Sequence, residues 1–173
     1  DMKLPLEKVL GLVVEVVDAV SYLHRNLVVH RDRKPSNILV DRDGRVKLLD
    51  FGIAKVMVDD PGEPGVTGTG ERLMTPEYAA PEQLLGGPVT TATDVYALGV
   101  VLYELLTGTR PRRPTGAADQ AATRGLPPAP SSALRRRRRA PAETGGGSTT
   151  GVGWRRIAGD LDTICLTALR PEP

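Results

Sequence analysis

The stretch from Val28 to Val40 constrains this chain more than any other, because a polar loop there separates two short apolar runs. The loop holds one carboxylate, Asp32, and one amide, Asn37, five positions later. A second carboxylate, Asp50, follows Asp32 by eighteen residues. By itself such a loop also fits an ordinary hairpin with surface charges, so its meaning depends on the neighbouring segments.

A short hairpin is predicted directly after this loop. The apolar runs 38–40 and 46–49 flank Asp41-Arg42-Asp43-Gly44, and an Asp-Gly turn between two such runs is a strong hairpin signal. The hairpin would bring Asn37 and Asp50 to the same end. Leu39, in the first strand, fits a core position on its residue type alone.

Two long helices are predicted from apolar residues that recur at steps of three and four. The first runs from Leu6 to Arg25, and the second runs from Thr91 to Thr107 and ends at Gly108 as a C-cap. Asp94 falls near the start of the second helix, where unpaired N–H groups favour a carboxylate. The apolar face predicted for the first helix consists of Leu6, Val9, Leu10, Val13, Val17, Val20 and Leu23.

A third helical pattern closes the chain. It opens at Gly159 and reaches Leu169, with Asp160 as the expected N-cap. Cys165 lies in this apolar pattern and no catalytic motif surrounds it, which indicates a buried side chain. We expect Trp154 to pack against this helix.

Two segments lack any apolar periodicity. Residues 57–72 are rich in Gly, Pro, Asp and Thr and are predicted to form a mobile loop. Residues 111–153 are dominated by small residues, proline and arginine, which predicts a flexible insert. The insert contains five consecutive arginines, Arg135 to Arg139. Because no aromatic residues interleave with them, we favour a solvated charge run over a site for nucleic acid or an acidic surface.

The bulk composition excludes several classes of protein. The chain has 23 basic and 21 acidic residues, so its net charge of +2 does not indicate any class of binding partner. A single cysteine excludes an internal disulfide framework and fits a reducing compartment. No apolar run is long enough to span a membrane. We expect a piece of a longer cytoplasmic protein, whose membrane anchoring through a segment outside these residues is left open.

Four motifs then occur in the order typical of protein kinases. They are His30-Arg31-Asp32 with Asn37, Asp50-Phe51-Gly52, T-P-E-Y-A-A-P-E from Thr75 to Glu82, and D-V-Y-A-L-G from Asp94. With the later G-D-L-D-T-I-C-L-T-A-L, the chain resembles bacterial kinases of the eukaryotic-like serine/threonine type over residues 4–110 and 156–173. The resemblance implies an α+β, protein-kinase-like fold. Residues 1–173 would form the mainly α-helical C-terminal lobe with a short β-hairpin, and the N-terminal lobe is missing from them.

The resemblance also implies roles for the loop residues, with ATP and Mg²⁺ as cofactors and proteins bearing serine or threonine as substrates. Asp32 would accept the proton of the substrate hydroxyl, and Lys34 would add positive charge beside the transferring phosphoryl group. Asn37 and Asp50 would hold magnesium, which prefers oxygen ligands. Thr75 would contact Asp32 and Lys34. The implied nucleotide-binding set is Lys34, Ser36, Asn37, Leu39 and Asp50.

Asp94 receives a role from the resemblance as well. In the family, the matching aspartate hydrogen-bonds the backbone of the catalytic loop, so Asp94 would brace His30 and Arg31. The alternative is that Asp94 is a simple helix cap.

A regulatory switch between the D-F-G and A-P-E motifs is a further implication of the resemblance. Arg31 and Lys55 would form a basic pocket that pairs with a negative group on this segment. The candidates are Thr67 and Thr69 as phosphothreonines, and Glu71, whose carboxylate would provide basal order without phosphorylation. The alternative is that all three are ordinary solvated loop residues.

Three departures from the family pattern bear on activity. The 173 residues contain no Gly-rich loop to cover the phosphates and no strand lysine with its helix glutamate. We therefore expect them to be inactive alone. The arginine that pairs with Glu82 in the family is missing from them, so Glu82 would be unpartnered unless another group serves. Arg33 replaces a usually buried leucine, and burying an unpaired guanidinium is costly. The alternative to part of an active kinase is therefore a non-catalytic pseudokinase or interaction module.

Overall fold

The fold was analysed in a computed structural model, which describes residues 4–29, 34–49, 75–111, 126–137 and 153–170. This part of the chain is mainly helical and carries one two-stranded antiparallel sheet, which confirms the predicted fold class. Within the same ranges, no helix has both the length and the apolar character needed to cross a membrane. The elements are α1 (Leu6–Arg25), a 3₁₀ turn (Pro35–Asn37), β1 (Ile38–Val40), β2 (Val46–Leu48), α2 (Pro81–Leu85), α3 (Thr91–Thr107), α4 (Pro130–Arg137), α5 (Trp154–Ile157) and α6 (Asp160–Ala168).

Helix α1 has the bounds that its periodicity predicted. The predicted face is wrong at one position, because α1 buries Val16 and leaves Val17 42% exposed. Both valines satisfy a step of three or four from their apolar neighbours, so spacing alone could not choose between them. The helix ends in a left-handed turn at Leu27, where the N–H of Val28 donates to the carbonyl of Leu23 at 3.0 Å.

The predicted hairpin is confirmed, with Ile38 opposite Leu48 and Val40 opposite Val46. Asp41 builds the turn, since its Oδ1 accepts hydrogen bonds from two backbone N–H groups, that of Asp43 at 3.0 Å and that of Arg45 at 2.9 Å. The hairpin is fastened to α1 by Glu15, whose Oε2 accepts from the N–H of Val46 at 3.0 Å.

Helix α3 forms the centre of the core and also has its predicted bounds. Thr90 is its N-cap and accepts a hydrogen bond from the N–H of Ala92 at 3.2 Å, while Gly108 ends the helix at a φ of 72°. The buried core around it consists of Leu6, Val100, Leu102, Tyr103, Leu106, Leu134, Ile157, Cys165 and Leu169.

Helix α4 corrects the expectation that residues 111–153 form a flexible insert without structure. Its first turn is fixed by Ser131, whose N–H and hydroxyl both donate to the carboxylate of Asp162, at 2.9 and 2.5 Å. Its last turn is fixed by Arg137, whose Nη1 donates to the carbonyl of Thr107 at 2.9 Å, and Leu134 is buried between these anchors. The composition-based prediction is therefore wrong for residues 130–137, because tertiary contacts hold a helix of only eight residues, which would be marginal by itself. The insert boundaries stay a prediction.

The end of the chain follows the prediction with one correction. Gly159, at a φ of 103°, precedes α6 as its N-cap, and Asp160 is already the first helical residue. Cys165 is buried as expected, and this burial raises the pKa of its thiol to about 12. Trp154 packs against the core that α6 helps to form, which confirms its predicted role.

Replacing Gly99 of α3 by alanine is expected to destabilise the fold. An added Cβ would lie 2.9 Å from the Cβ of Ala168 and 3.2 Å from the Leu169 side chain, so α3 and α6 would have to move apart. We expect the free energy of unfolding to fall by about 1–2 kcal/mol, since overpacking outweighs the better helix propensity of alanine. Urea denaturation followed by circular dichroism measures the change.

Gly11 of α1 offers a matched control for this prediction. It is exposed, and an added Cβ would meet nothing within 4 Å. Gly11→Ala should therefore raise the free energy of unfolding by about 1 kcal/mol. The account of the α3–α6 contact is wrong if Gly99→Ala stabilises the chain as Gly11→Ala does.

Candidate active site

Asn37 is held in place by a single 3₁₀ turn at the entry to the hairpin. Lys34 is extended, Pro35 opens the turn, and the N–H of Asn37 donates to the carbonyl of Lys34 at 2.9 Å. Asn37 is only 7% exposed, although asparagine is usually a surface residue. Proline suits this position because its fixed φ matches the turn and its missing N–H is not needed there.

The hairpin aligns Asn37 with the chain that leads to Asp50. Beyond the last strand pair, the N–H of Leu49 donates to the carbonyl of Asn37 at 2.8 Å. Asn37 therefore lies opposite the residue that directly precedes Asp50, as the predicted hairpin requires.

The other residues of the predicted nucleotide-binding set differ in exposure. Leu39 is 48% exposed on β1, so its interpretation as a plain core residue is wrong. Ser36 is exposed, and Lys34 is half-buried. An exposed leucine on the strand that follows Asn37 is available to an apolar ligand surface.

The segment that begins at Thr75 is anchored on α3 through Tyr78. The carbonyl of Thr75 accepts from the N–H of Tyr78 at 3.0 Å, and the Tyr78 hydroxyl donates to Oε2 of Glu104 at 2.6 Å. Burial and the neighbouring Glu104 carboxylate raise the pKa of Tyr78 above its ordinary value, so the hydroxyl stays protonated and keeps donating. Arg110 lies over the Tyr78 ring, 5.7 Å from its centre, and its Nη1 is 3.5 Å from Oε1 of Glu77.

Glu82, at the start of α2, has a partner in this structure. The hydroxyl of Thr93 donates to Oε1 of Glu82 at 2.7 Å, and Thr93 itself is buried in the first turn of α3. The hydroxyl of Thr93 is therefore the other group that the sequence had left open as a partner of Glu82. The signal for Thr93 was present in the sequence as a hydroxyl at the third helical position, but only the fold brings it to Glu82.

A buried histidine–aspartate pair was missed by the sequence analysis. Nε2 of His24, in the last turn of α1, lies 2.8 Å from Oδ2 of Asp94 in the first turn of α3. The Asp94 side chain is 1% exposed and that of His24 is 18% exposed. Asp94 is thus not a simple helix cap, a role that Thr90 fills. The pair joins the helix before the catalytic-type loop to the central helix of the core.

Comparison with known proteins identifies the family. A family model described as a protein kinase domain matches residues 2–127. The chain belongs to the protein kinase domain family. The kinase motifs recognised in the sequence are therefore confirmed as a family resemblance.

Several curated kinases are similar to this kinase-domain chain. It is 43% identical over 105 residues to serine/threonine-protein kinase PrkC of Bacillus subtilis, covering 61% of this chain and 16% of that protein. It is 48% identical over 130 residues to serine/threonine-protein kinase Pkn1 of Myxococcus xanthus, covering 72% of this chain and 18% of that protein. Serine/threonine-protein kinase RUNKEL of Arabidopsis thaliana is 41% identical over 139 residues, and the match covers 78% of this chain and 10% of that protein. The chain thus spans less than a fifth of the length of these relatives.

Several predicted site residues lie outside the described residues of this kinase-domain chain. Their assigned roles, in proton acceptance, magnesium binding and switching, stay predictions, as does the bracing of the loop by Asp94. The same holds for the effect of Arg33 on the loop. The set comprises His30, Arg31, Asp32, Arg33, Asp50, Lys55, Thr67, Thr69 and Glu71.

Proposed function

We propose that the whole protein transfers phosphoryl groups from ATP to serine and threonine hydroxyls of proteins, and that this chain supplies the groups that act on the hydroxyl. One observation carries the proposal. Asn37 is buried in its 3₁₀ turn and its carbonyl accepts from the N–H of Leu49, so the hairpin presents Asn37 beside the residue before Asp50. The relatives are named serine/threonine-protein kinases, which supports the substrate class.

The residues divide the chemistry between them. Asp32 accepts the proton of the substrate hydroxyl and aims its oxygen, and Lys34 stabilises the charge on the transferring group. Asn37 and Asp50 form an oxygen donor set that fits Mg²⁺, which would neutralise phosphate charge when bound. Thr75 lies on a segment anchored to α3 through Tyr78, which suits a residue that positions Asp32 and Lys34.

The apolar part of the nucleotide has a candidate contact on β1. Leu39 is half-exposed on the strand that follows Asn37, so one face of an adenine ring can rest on it without any core residue moving. Ser36 is exposed in the 3₁₀ turn, where its hydroxyl is free to reach a phosphate oxygen.

Labelled ATP tests this proposal directly. The full-length protein, incubated with ATP labelled in its γ-phosphate and a generic basic protein, should incorporate label on serine and threonine. Chelation of magnesium should remove the signal, because the proposed site has oxygen ligands for that ion. Absence of incorporation by the full-length protein, or incorporation on tyrosine, would contradict the proposal.

The 173-residue chain serves as the second arm of this experiment. Its sequence contains neither the Gly-rich phosphate loop nor the strand lysine with its helix glutamate that orient the phosphates in the family. We therefore expect no magnesium-dependent incorporation by the 173 residues alone.

A further inference from the structure

Two arginines lie over the Trp154 ring where α4 and α5 pack against each other, and a third is exposed next to one of them in the sequence. The guanidinium carbon of Arg135, in the last turn of α4, lies 5.9 Å from the centre of the Trp154 ring. That of Arg155, in α5, lies 5.3 Å from the same ring. Arg136 is exposed beside Arg135. We call Arg135, Arg136, Arg155 and Trp154 the arginine–tryptophan surface.

The arginines of this surface have no carboxylate partner among the residues that the structure describes. The arginines that follow them in sequence do have partners. Arg137 donates to the carbonyl of Thr107, and Arg156 forms an ion pair with Glu7. The surface therefore has three exposed positive charges that the described fold does not neutralise.

The carboxylate of Asp162, on the neighbouring helix α6, has hydrogen-bond partners of its own. Both of its oxygens accept hydrogen bonds from Ser131, one from the N–H and one from the hydroxyl. Asp162 thereby fixes the first turn of α4, while the arginines project from the last turn. The positive charge at that end is available to a group from outside the chain.

Trp154 gives the surface a defined shape. Its ring is half-buried and packs against the core, so it does not move with the arginines. A guanidinium that lies over an aromatic ring gains a cation–π attraction and loses rotamer freedom before any partner arrives. The N–H donors of a guanidinium lie in one plane, a geometry that suits the two oxygens of a carboxylate. Such preorganisation lowers the entropy cost of binding.

The same geometry disfavours the other polyanions. Binding to single-stranded nucleic acid relies on aromatic faces that stack with bases, but two guanidinium groups already cover Trp154, the only aromatic residue of α4 and α5. Insertion of an amphipathic helix into a membrane surface relies on apolar side chains beside the charges. The apolar side chains of these helices, Leu134 and Ile157, are buried in the core.

We propose that the arginine–tryptophan surface binds a segment rich in glutamate and aspartate on another protein. The carboxylates of that segment pair with Arg135, Arg136 and Arg155 while Trp154 holds two of these arginines in place. None of these residues belongs to the proposed catalytic set, so this surface would recruit a substrate or regulator independently of the chemistry.

Fluorescence anisotropy of a fluorescein-labelled oligo-glutamate peptide, titrated with the full chain at low salt, tests this proposal. We expect saturable binding that weakens as salt rises, because exposed charge pairs are screened. Trp154 is the single tryptophan, so its emission should change over the same titration and locate the binding. Arg135→Gln/Arg155→Gln should weaken the binding about tenfold.

The double variant Arg42→Gln/Arg45→Gln is the matched control. It removes the same charge from two exposed arginines in the hairpin turn and should leave the affinity within about twofold of the original. Equal losses in both double variants, or no binding of the peptide at low salt, would overturn the proposal. Tighter binding of a single-stranded oligonucleotide or of phosphatidylserine vesicles than of the peptide would also overturn it, in favour of that ligand. The assay needs no phosphoryl transfer, so its result is independent of the proposed function.

Discussion

Asp32→Asn in the full-length protein is expected to lower kcat for protein phosphorylation by about 10³-fold, because an amide cannot accept the hydroxyl proton. Asp50→Asn and Lys34→Ala should each have an effect of similar order. The first removes an anionic oxygen ligand of magnesium, and the second removes positive charge at the transferring group. Positioning and charge stabilisation supply most of the catalysis in phosphoryl transfer, so these losses should be large.

The measurement is the initial rate of label transfer at saturating ATP and protein substrate, with circular dichroism to show that each variant is folded. Asp43→Asn is the matched control, since Asp43 is an exposed carboxylate in the turn of the same hairpin. It should retain a normal rate. Near-normal rates for Asp32→Asn, Asp50→Asn and Lys34→Ala together would show that the site assignment is wrong.

The second large effect is expected at the His24–Asp94 pair. Asp94→Ala should lower the free energy of unfolding of the full chain by about 2–3 kcal/mol, because it leaves His24 without the carboxylate it faces in a mostly buried position. His24→Ala should cost at least as much, since it removes the imidazole from the Asp94 carboxylate, whose side chain is only 1% exposed. The loss should be larger than that of an exposed carboxylate such as Asp18 on α1, whose replacement by alanine should stay within about 0.5 kcal/mol.

A double-mutant cycle separates the pair from its surroundings. His24→Ala and Asp94→Ala, singly and together, are compared by urea denaturation. The two losses should not add, and we expect an interaction free energy of about 1–2 kcal/mol. Additive losses would mean that the 2.8 Å contact contributes nothing to stability.

The long elements follow from local chemistry, which is why the sequence predicted them well. Apolar steps of three and four residues placed α1 and α3, and Gly108 ends α3 because a residue without Cβ readily adopts a positive φ. The Asp43-Gly44 pair predicted the position of the hairpin turn. Asp41 stabilises that turn, since its side chain accepts hydrogen bonds from two N–H groups of the turn. Each of these signals lies within a few residues of its effect.

The candidate site was predicted as a set of motifs, and the structure added part of its geometry. The sequence identified Asn37 as a ligand candidate and predicted that the hairpin carries it beside Asp50. It did not predict that Leu39 would be half-exposed rather than part of the core. The exposure of a strand residue depends on what packs over the sheet. The residue type and the periodicity of the sequence give no information about that packing.

By itself, the sequence determined the kinase motifs, the helical lobe and the hairpin. The tertiary structure alone decided the His24–Asp94 pair and helix α4, because these rest on groups far apart in the chain. His24 and Asp94 are 70 residues apart, and the Ser131–Asp162 bonds that fix α4 span 31 residues. A helix of only eight residues is marginal by itself because nucleation is costly, so its order comes from contacts that composition cannot reveal.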